Sequence, residues 1–69
     1  MKRFHSNKGK SATIELAHPK FDPDLDVFWV KVLWPDGRIY RDTVFFTEGK
    51  AEKFLSWIGN VNHEEWTEI

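Results

Sequence analysis

Three aspartates at alternate positions, Asp22, Asp24 and Asp26, are the first residues of this chain whose spacing matches a known chemistry. They occupy positions one, three and five of a calcium-binding loop, where carboxylates coordinate the ion. Such a loop needs a glycine at position six and a bidentate glutamate at position twelve, where this chain has Val27 and Leu33. The aspartates therefore predict a solvated loop, and no metal or cofactor is expected.

The histidines are the next candidates for chemistry. His5, His18 and His63 are far apart in sequence, so a metal site would require three distant loops to converge. His63, Glu65 and Arg41 are of the types that supply the base, acid and cation of a small ribonuclease, although their spacing does not require that role. The chain has no nucleophile triad, phosphate-binding loop or glycine-rich fingerprint. A non-catalytic protein is therefore predicted, with a small ribonuclease as the weakest alternative.

Composition narrows the class of protein. The 69 residues fit one domain, residues 1–69, without cysteine and with a net charge of -1. A domain of this length buries only about 60% of its unfolded surface. The missing cysteines exclude disulfides and thiolate zinc sites and favour a reducing compartment, so a cytoplasmic location is expected. No apolar run approaches the roughly 20 residues that span a bilayer, and residues 1–10 lack the apolar stretch of a signal peptide.

The segment from Val27 to Trp34 predicts a strand with apolar side chains on both faces. Successive side chains of a strand point to opposite faces, so a sheet with one wet face alternates apolar and polar residues. Here both faces are mostly apolar. One helix can cover one of them, which leaves the other for the chain's own tails, a second copy or a partner.

The preceding segments are simpler. Ser11 to Ala17 alternates apolar and polar residues and predicts a strand with one wet face. His18 to Leu25 contains two prolines and two aspartates and predicts a loop. Phe21 in this loop is a candidate to fold back onto the core.

The sequence Trp34-Pro35-Asp36-Gly37 predicts a hairpin turn with two registers open. A three-residue loop closed by a glycine bulge pairs Trp34 with Arg38 and places Lys31 opposite Arg41. A two-residue turn would instead place Lys31 opposite Asp42, which avoids facing like charges. The three-residue loop is favoured because the proline has no backbone N–H to donate in the shorter turn.

A third strand is predicted from Arg38 to Phe46, followed by a helix with Thr47 as its N-cap and Glu48 as its first residue. Gly59 suits the left-handed residue that ends a helix. The helix has one apolar stripe, formed by Ala51, Phe54, Leu55 and Ile58. We expect this stripe to cover the even-numbered sheet face, formed by Phe28, Val30, Val32, Val44 and Phe46.

These elements predict an α+β fold: a three-stranded antiparallel β-meander followed by one α-helix packed on one face. After the helix come Val61, Trp66 and Ile69, for which a short C-terminal fourth strand is favoured over a tail across the sheet.

The uncovered sheet face is the predicted site. Aromatic residues and arginine around an apolar patch are typical of interface hot spots. The sequence therefore predicts a small regulatory or inhibitory protein-binding module whose partner is another protein or a second copy of itself. In the favoured register the partner-binding residues are Trp29, Lys31, Leu33, Ile39, Arg41, Thr43 and Phe45.

Nucleic acid is the alternative partner. Residues 1–10 are purely basic and predict a flexible arm, for which a frayed, solvated terminus is favoured and contact with phosphates is the alternative. Its cations are Lys2, Arg3, Lys8 and Lys10. A three-stranded antiparallel sheet followed by one helix resembles, in layout, the sheet-reading DNA-binding domains of plant transcription factors and integrases. That resemblance implies that Lys31 and Arg41 contact phosphates or base edges.

Overall fold

A computed structural model describes all 69 residues as one five-stranded antiparallel sheet with a single helix on one face. The strand order across the sheet is β4-β3-β2-β1-β5. The elements are β1 (Lys2–Ser6), β2 (Ser11–Ala17), β3 (Val27–Leu33), β4 (Ile39–Phe45), α1 (Glu48–Asn62) and β5 (Trp66–Glu68). The predicted α+β class is confirmed, and the predicted three-stranded meander is an undercount.

The missing strand is β1, which lies in the segment predicted to be a flexible arm. Phe4 pairs with Ala12 on β2 and with Glu68 on β5, so β1 lies inside the sheet. The β1–β2 turn includes Gly9, whose φ of 91° is readily adopted only by glycine. Phe4 packs against the core. The prediction of a flexible arm was wrong because burial of Phe4 and backbone pairing on both sides offset the entropy of ordering this segment.

The turn between β3 and β4 is the predicted three-residue loop. The Trp34 N–H donates to the Arg38 carbonyl at 2.8 Å, and the Gly37 N–H donates to the Trp34 carbonyl at 2.9 Å. Gly37 has a φ of 93°, as the left-handed position of this loop requires. The predicted three-residue loop is therefore confirmed.

The register beyond the turn differs from the one favoured. Leu33 pairs with Ile39, but Val32 pairs with Arg41, so Tyr40 is an extra residue that forms a β-bulge. The bulge shifts the rest of β4 by one position and places Lys31 opposite Asp42. Side chains beyond the bulge consequently exchange faces relative to the prediction.

The core lies between the sheet and α1. Its buried residues come from β2, β3 and the helix: Ala12, Ile14, Val30, Val32, Ala51, Leu55 and Ile58. Phe28 and Phe45 pack against this cluster. Val44 and Phe46 were expected beneath the helix, but the bulge turns them to the other face, where they are 54% and 69% exposed.

The helix begins as predicted and ends later. The Thr47 side chain accepts a hydrogen bond from the Lys50 N–H at 3.2 Å, which confirms the N-cap. α1 continues past Gly59 and ends at Asn62, with His63 as its C-cap at a φ of 53°. Gly59 is buried, and a Cβ there would lie 2.8 Å from the Glu64 carbonyl oxygen. Gly59 thus permits a close approach of the chain after the helix, instead of ending the helix.

The predicted C-terminal strand is present as β5. It pairs with β1 and not with the meander, and Trp66 packs against the core from this position. Phe21, in contrast, does not fold back onto the core, since it is 85% exposed in the loop before β3.

Candidate protein-binding face

The sheet face opposite α1, here called the open face, is built from cross-strand rows. Directly paired residues share a face. One row joins Thr13, Lys31 and Asp42, and the next joins Glu15, Trp29 and Val44. The face therefore combines aromatic, aliphatic and charged side chains on strands that the core holds in place from the other side.

Trp29 occupies the centre of the apolar half of this face and is held by two charged neighbours. The Lys31 ammonium lies 4.6 Å from the centroid of the Trp29 ring. The Trp29 indole N–H donates a hydrogen bond to the Asp42 carboxylate. A cation over the ring and a carboxylate on its N–H fix the indole in one orientation.

Beside Trp29 the open face forms an apolar groove of about 320 Å³, here called the open-face groove. Strand residues Val27, Val44 and Phe46 line it together with Trp29. The loop between β2 and β3 forms the other wall, from Ala17, His18, Pro19 and Phe21. The arrangement explains why Phe21 is exposed: its ring borders a groove that nothing in this chain fills.

Carboxylates surround the open-face groove. Asp42 bonds to Trp29, and Glu15 lies opposite Trp29 on β2. Asp26 lies 3.4 Å from Nδ1 of His18, which lines the groove. The loop that carries Phe21 contributes two more aspartates, Asp22 and Asp24. The cations on this side of the sheet are Lys20 of the same loop, the ring-bound Lys31 and Arg3, which pairs with Thr13 in the row of Lys31. Negative charge therefore prevails around the apolar groove.

The structure brings together four of the seven residues predicted for the partner-binding face: Trp29, Lys31, Leu33 and Ile39. The other three lie on the helix-covered face. Phe45 packs against Phe54 with ring centroids 5.2 Å apart, and Thr43 lies opposite the buried Val30. Arg41 lies opposite Val32, with its guanidinium 4.5 Å from the Tyr40 ring centroid.

The bulge at Tyr40 is the physical reason for this exchange, because one extra residue reverses the faces of all that follow in β4. Sequence reasoning consequently missed Asp42, Val44 and Phe46 on the open face. The alternation of Asp42, Val44 and Phe46 was visible in the sequence, but it was assigned to the wrong face. Phe21 also borders this face, whereas the sequence predicts that it turns inward.

Lysines of the predicted basic arm have partners within the chain. The Lys2 ammonium lies 2.5 Å from the Glu52 carboxylate and 3.1 Å from the Glu48 carboxylate. These two hydrogen bonds, of which the one to Glu52 has the larger effect, raise the pKa of Lys2 above its usual value. The Lys8 ammonium donates to the Asn62 carbonyl at 2.7 Å.

Lys10 is buried, with its ammonium 3.2 Å from the Glu64 carboxylate. The fourth basic residue, Arg3, lies on the open face opposite Thr13. The four side chains therefore do not converge on one phosphate-binding surface, and nucleic-acid binding stays a prediction.

The residues considered for catalysis are not assembled into a site. No hydrogen bond or ion pair joins His63, Glu65 and Arg41, and His63 forms the C-terminal cap of α1. No group of three or more His, Asp or Glu side chains is placed to hold a metal ion. α1 lacks the length and the apolar character needed to cross a bilayer.

Comparisons with protein-family models, curated proteins and solved structures found no match to this chain. The function must therefore be inferred from the open face itself.

Proposed function

We propose that this protein is a small, non-catalytic protein-binding module that takes an apolar side chain of another protein into the open-face groove. The observation that carries the proposal is the groove beside Trp29, which is lined mostly by apolar side chains and covered by no part of the chain. A module of this kind regulates or inhibits its partner by occupying the partner's surface.

The residues of the groove suit such binding. Phe46 and Phe21 are 69% and 85% exposed, so a partner that covers them removes much apolar surface from water. Trp29 is already fixed by Lys31 and Asp42, so little side-chain entropy is lost on binding. Rigid aromatic anchors within a polar rim are the usual composition of binding hot spots.

Charge indicates the chemistry of the partner. The carboxylates of Glu15, Asp26 and Asp42 lie on residues next to the groove or paired with its lining. Partial desolvation of carboxylates on binding is favourable when cations of the partner meet them. We therefore expect a partner segment with an apolar residue flanked by lysine or arginine.

The test uses a displayed library of random peptides, selected on the intact chain. Peptides enriched in an apolar residue beside Lys or Arg should bind the wild type. Val44→Lys should weaken the binding of those peptides by about tenfold or more, since it places a cation in the apolar groove. Val61→Lys is the matched control, because Val61 on α1 is 55% exposed and Val44 is 54% exposed.

Three results would overturn the proposal. The first is a selection that enriches no peptide on the wild type. The second is an equal effect of the two lysine variants. The third is enrichment of acidic peptides, which would contradict the expected charge of the partner.

A further inference from the structure

β4 forms one edge of the sheet, because it pairs only with β3. Along an antiparallel strand, the backbone groups of one residue bond to the strand on one side, and those of the next residue bond to the strand on the other side. Bonds at β1 fix this alternation: the Arg3 carbonyl accepts from the Ile69 N–H at 2.9 Å, and the Ser6 N–H donates to the Lys10 carbonyl at 2.9 Å. Odd-numbered residues of β1 therefore bond toward β5, and even-numbered residues bond toward β2.

The strand registers carry this alternation across to β4. Even-numbered residues of β2 bond to β1, so its odd-numbered residues bond to β3. These pair with odd-numbered residues of β3, which leaves the even-numbered residues of β3 to bond to β4. Thr43 lies opposite Val30 and thus uses its backbone groups within the sheet. The N–H and C=O groups of Asp42 and Val44 consequently point away from the sheet.

The two edges of the sheet differ in how they are protected. β5 has only three residues and ends in Glu68, and short charged edges discourage further pairing. β4 has seven residues, and its bulge at Tyr40 disturbs only the half near the turn. The remaining half, Thr43 to Phe45, has no proline, lysine or bulge, and through Val44 it borders the open-face groove.

We infer that the partner binds by strand addition: an extended, cationic segment of another protein pairs with β4 at Asp42 and Val44 as a sixth strand. In this arrangement main-chain hydrogen bonds supply affinity, and alternate side chains of the segment reach the open-face groove. Val44 contributes in two ways, because its backbone groups are free and its side chain lines the groove. The inference rests on the proposed function and adds to it the backbone conformation of the partner.

The charges favour a foreign segment over a second copy. Two copies joined at β4 by a two-fold axis would pair antiparallel at Asp42 and Val44, so each copy would place its Asp42 carboxylate beside Val44 of the other, at a groove that carboxylates already surround. A cationic segment meets the same carboxylates with opposite charge. The occupant assigned to this edge is therefore a basic and apolar strand of another protein.

The test compares backbone-methylated versions of a peptide obtained from the library selection. N-methylation removes one N–H donor and blocks close approach of that residue to an edge strand. Each peptide carries one N-methyl group. Methylation of a residue whose N–H faces β4, which is every second residue, should weaken binding by about tenfold or more, whereas methylation of an intervening residue should leave it nearly unchanged. An affinity loss that does not alternate along the peptide, or no loss at any position, would overturn strand addition.

A pair of variants tests the same point on the protein. Val44→Pro removes the outward N–H together with the side chain, whereas Val44→Ala removes the side chain and keeps the N–H. Proline should weaken binding by about tenfold more than alanine does, with circular dichroism confirming that both variants fold. Equal losses would overturn strand addition and leave the proposed function intact.

Two further results separate this inference from the proposed function. Absence of any bound peptide overturns both. A dimer of the chain alone in light scattering that Val44→Pro dissociates would assign the edge to a second copy and overturn the foreign segment.

Discussion

Lys31 lies directly opposite Asp42 across β3 and β4, and both side chains contact the same ring, that of Trp29. The bulge at Tyr40 is what creates this pairing, because without it Lys31 would face Arg41. The bulge thereby both relieves a repulsion and fixes an aromatic anchor on the open face.

Removal of the Asp42 carboxylate should loosen Trp29. Asp42→Ala should lower the free energy of unfolding by about 1 kcal/mol, since one charge-assisted hydrogen bond is lost at a partly exposed site. Asp42→Asn keeps an acceptor for the indole and should lose less. Urea denaturation gives the free energies, and near-ultraviolet circular dichroism reports the order of the tryptophans. Identical spectra and stability for Asp42→Ala and wild type would contradict the contact.

Replacement of one member of the buried pair of Lys10 and Glu64 should destabilise the protein strongly. Their side chains are only 8% and 0% exposed, so Lys10→Met leaves an uncompensated carboxylate in the interior. We expect the free energy of unfolding to fall by about 3 to 5 kcal/mol. The double variant Lys10→Met/Glu64→Leu should regain most of that loss, as a double-mutant cycle in urea would measure. Lys8→Met, at an exposed lysine, is the control.

Additive losses in that cycle would mean that the two buried side chains are not coupled. A loss for Lys8→Met as large as for Lys10→Met would likewise contradict the role of burial, because the Lys8 ammonium contacts only an exposed carbonyl.

The two helical glycines should respond to alanine with opposite signs. Gly59→Ala places a Cβ 2.8 Å from the Glu64 carbonyl and 3.2 Å from Trp66 Cδ1, so we expect destabilisation by about 1 to 3 kcal/mol. Gly49→Ala meets nothing within 4 Å and should stabilise the protein by up to about 1 kcal/mol through helix propensity. Thermal and urea unfolding measure both. Stabilisation by Gly59→Ala would contradict this prediction, because it would mean that the chain after α1 moves away from the new Cβ at little cost in free energy.

Phe21 should matter for binding and not for folding. It is 85% exposed, so Phe21→Ser should change the free energy of unfolding by less than about 0.5 kcal/mol. Loss of one wall of the open-face groove should weaken peptide binding by about tenfold. Ile69→Ser, at a residue that is 71% exposed, is the control and should leave peptide affinity unchanged. Calorimetry with a selected peptide measures the affinities.

Features with strong local causes were predictable from the sequence. The conformational preferences of a few neighbouring residues account for three of them: the strand from Ser11 to Ala17, the Thr47 cap and the glycine of the β3–β4 turn. The C-terminal strand was also predicted, although its partner β1 was not. β1 has a weak local signal, because its pairing partners lie elsewhere in the chain.

The candidate site was less predictable, and one residue explains most of the error. No local rule distinguishes Tyr40 in a bulge from Tyr40 in a regular strand, yet the choice decides which face receives Thr43, Val44 and Phe45. Packing favours the observed choice, since Phe45 then reaches Phe54 on the helix. Gly59 shows the same limit, because its role depends on a close contact with Glu64 that only the folded chain contains.

The pairing of β1 with β5 also has a consequence for how the chain folds. Phe4 pairs with Glu68, so this edge of the sheet joins residues from the two ends of the sequence. Closing a loop of that length costs more entropy than closing the hairpins, and contacts distant in sequence slow folding. During synthesis β1 emerges before β5, and its outer edge stays unpaired until β5 has left the ribosome. Until then the nascent chain exposes the outer edges of β1 and β4, and aggregation would most readily begin at either of these strands.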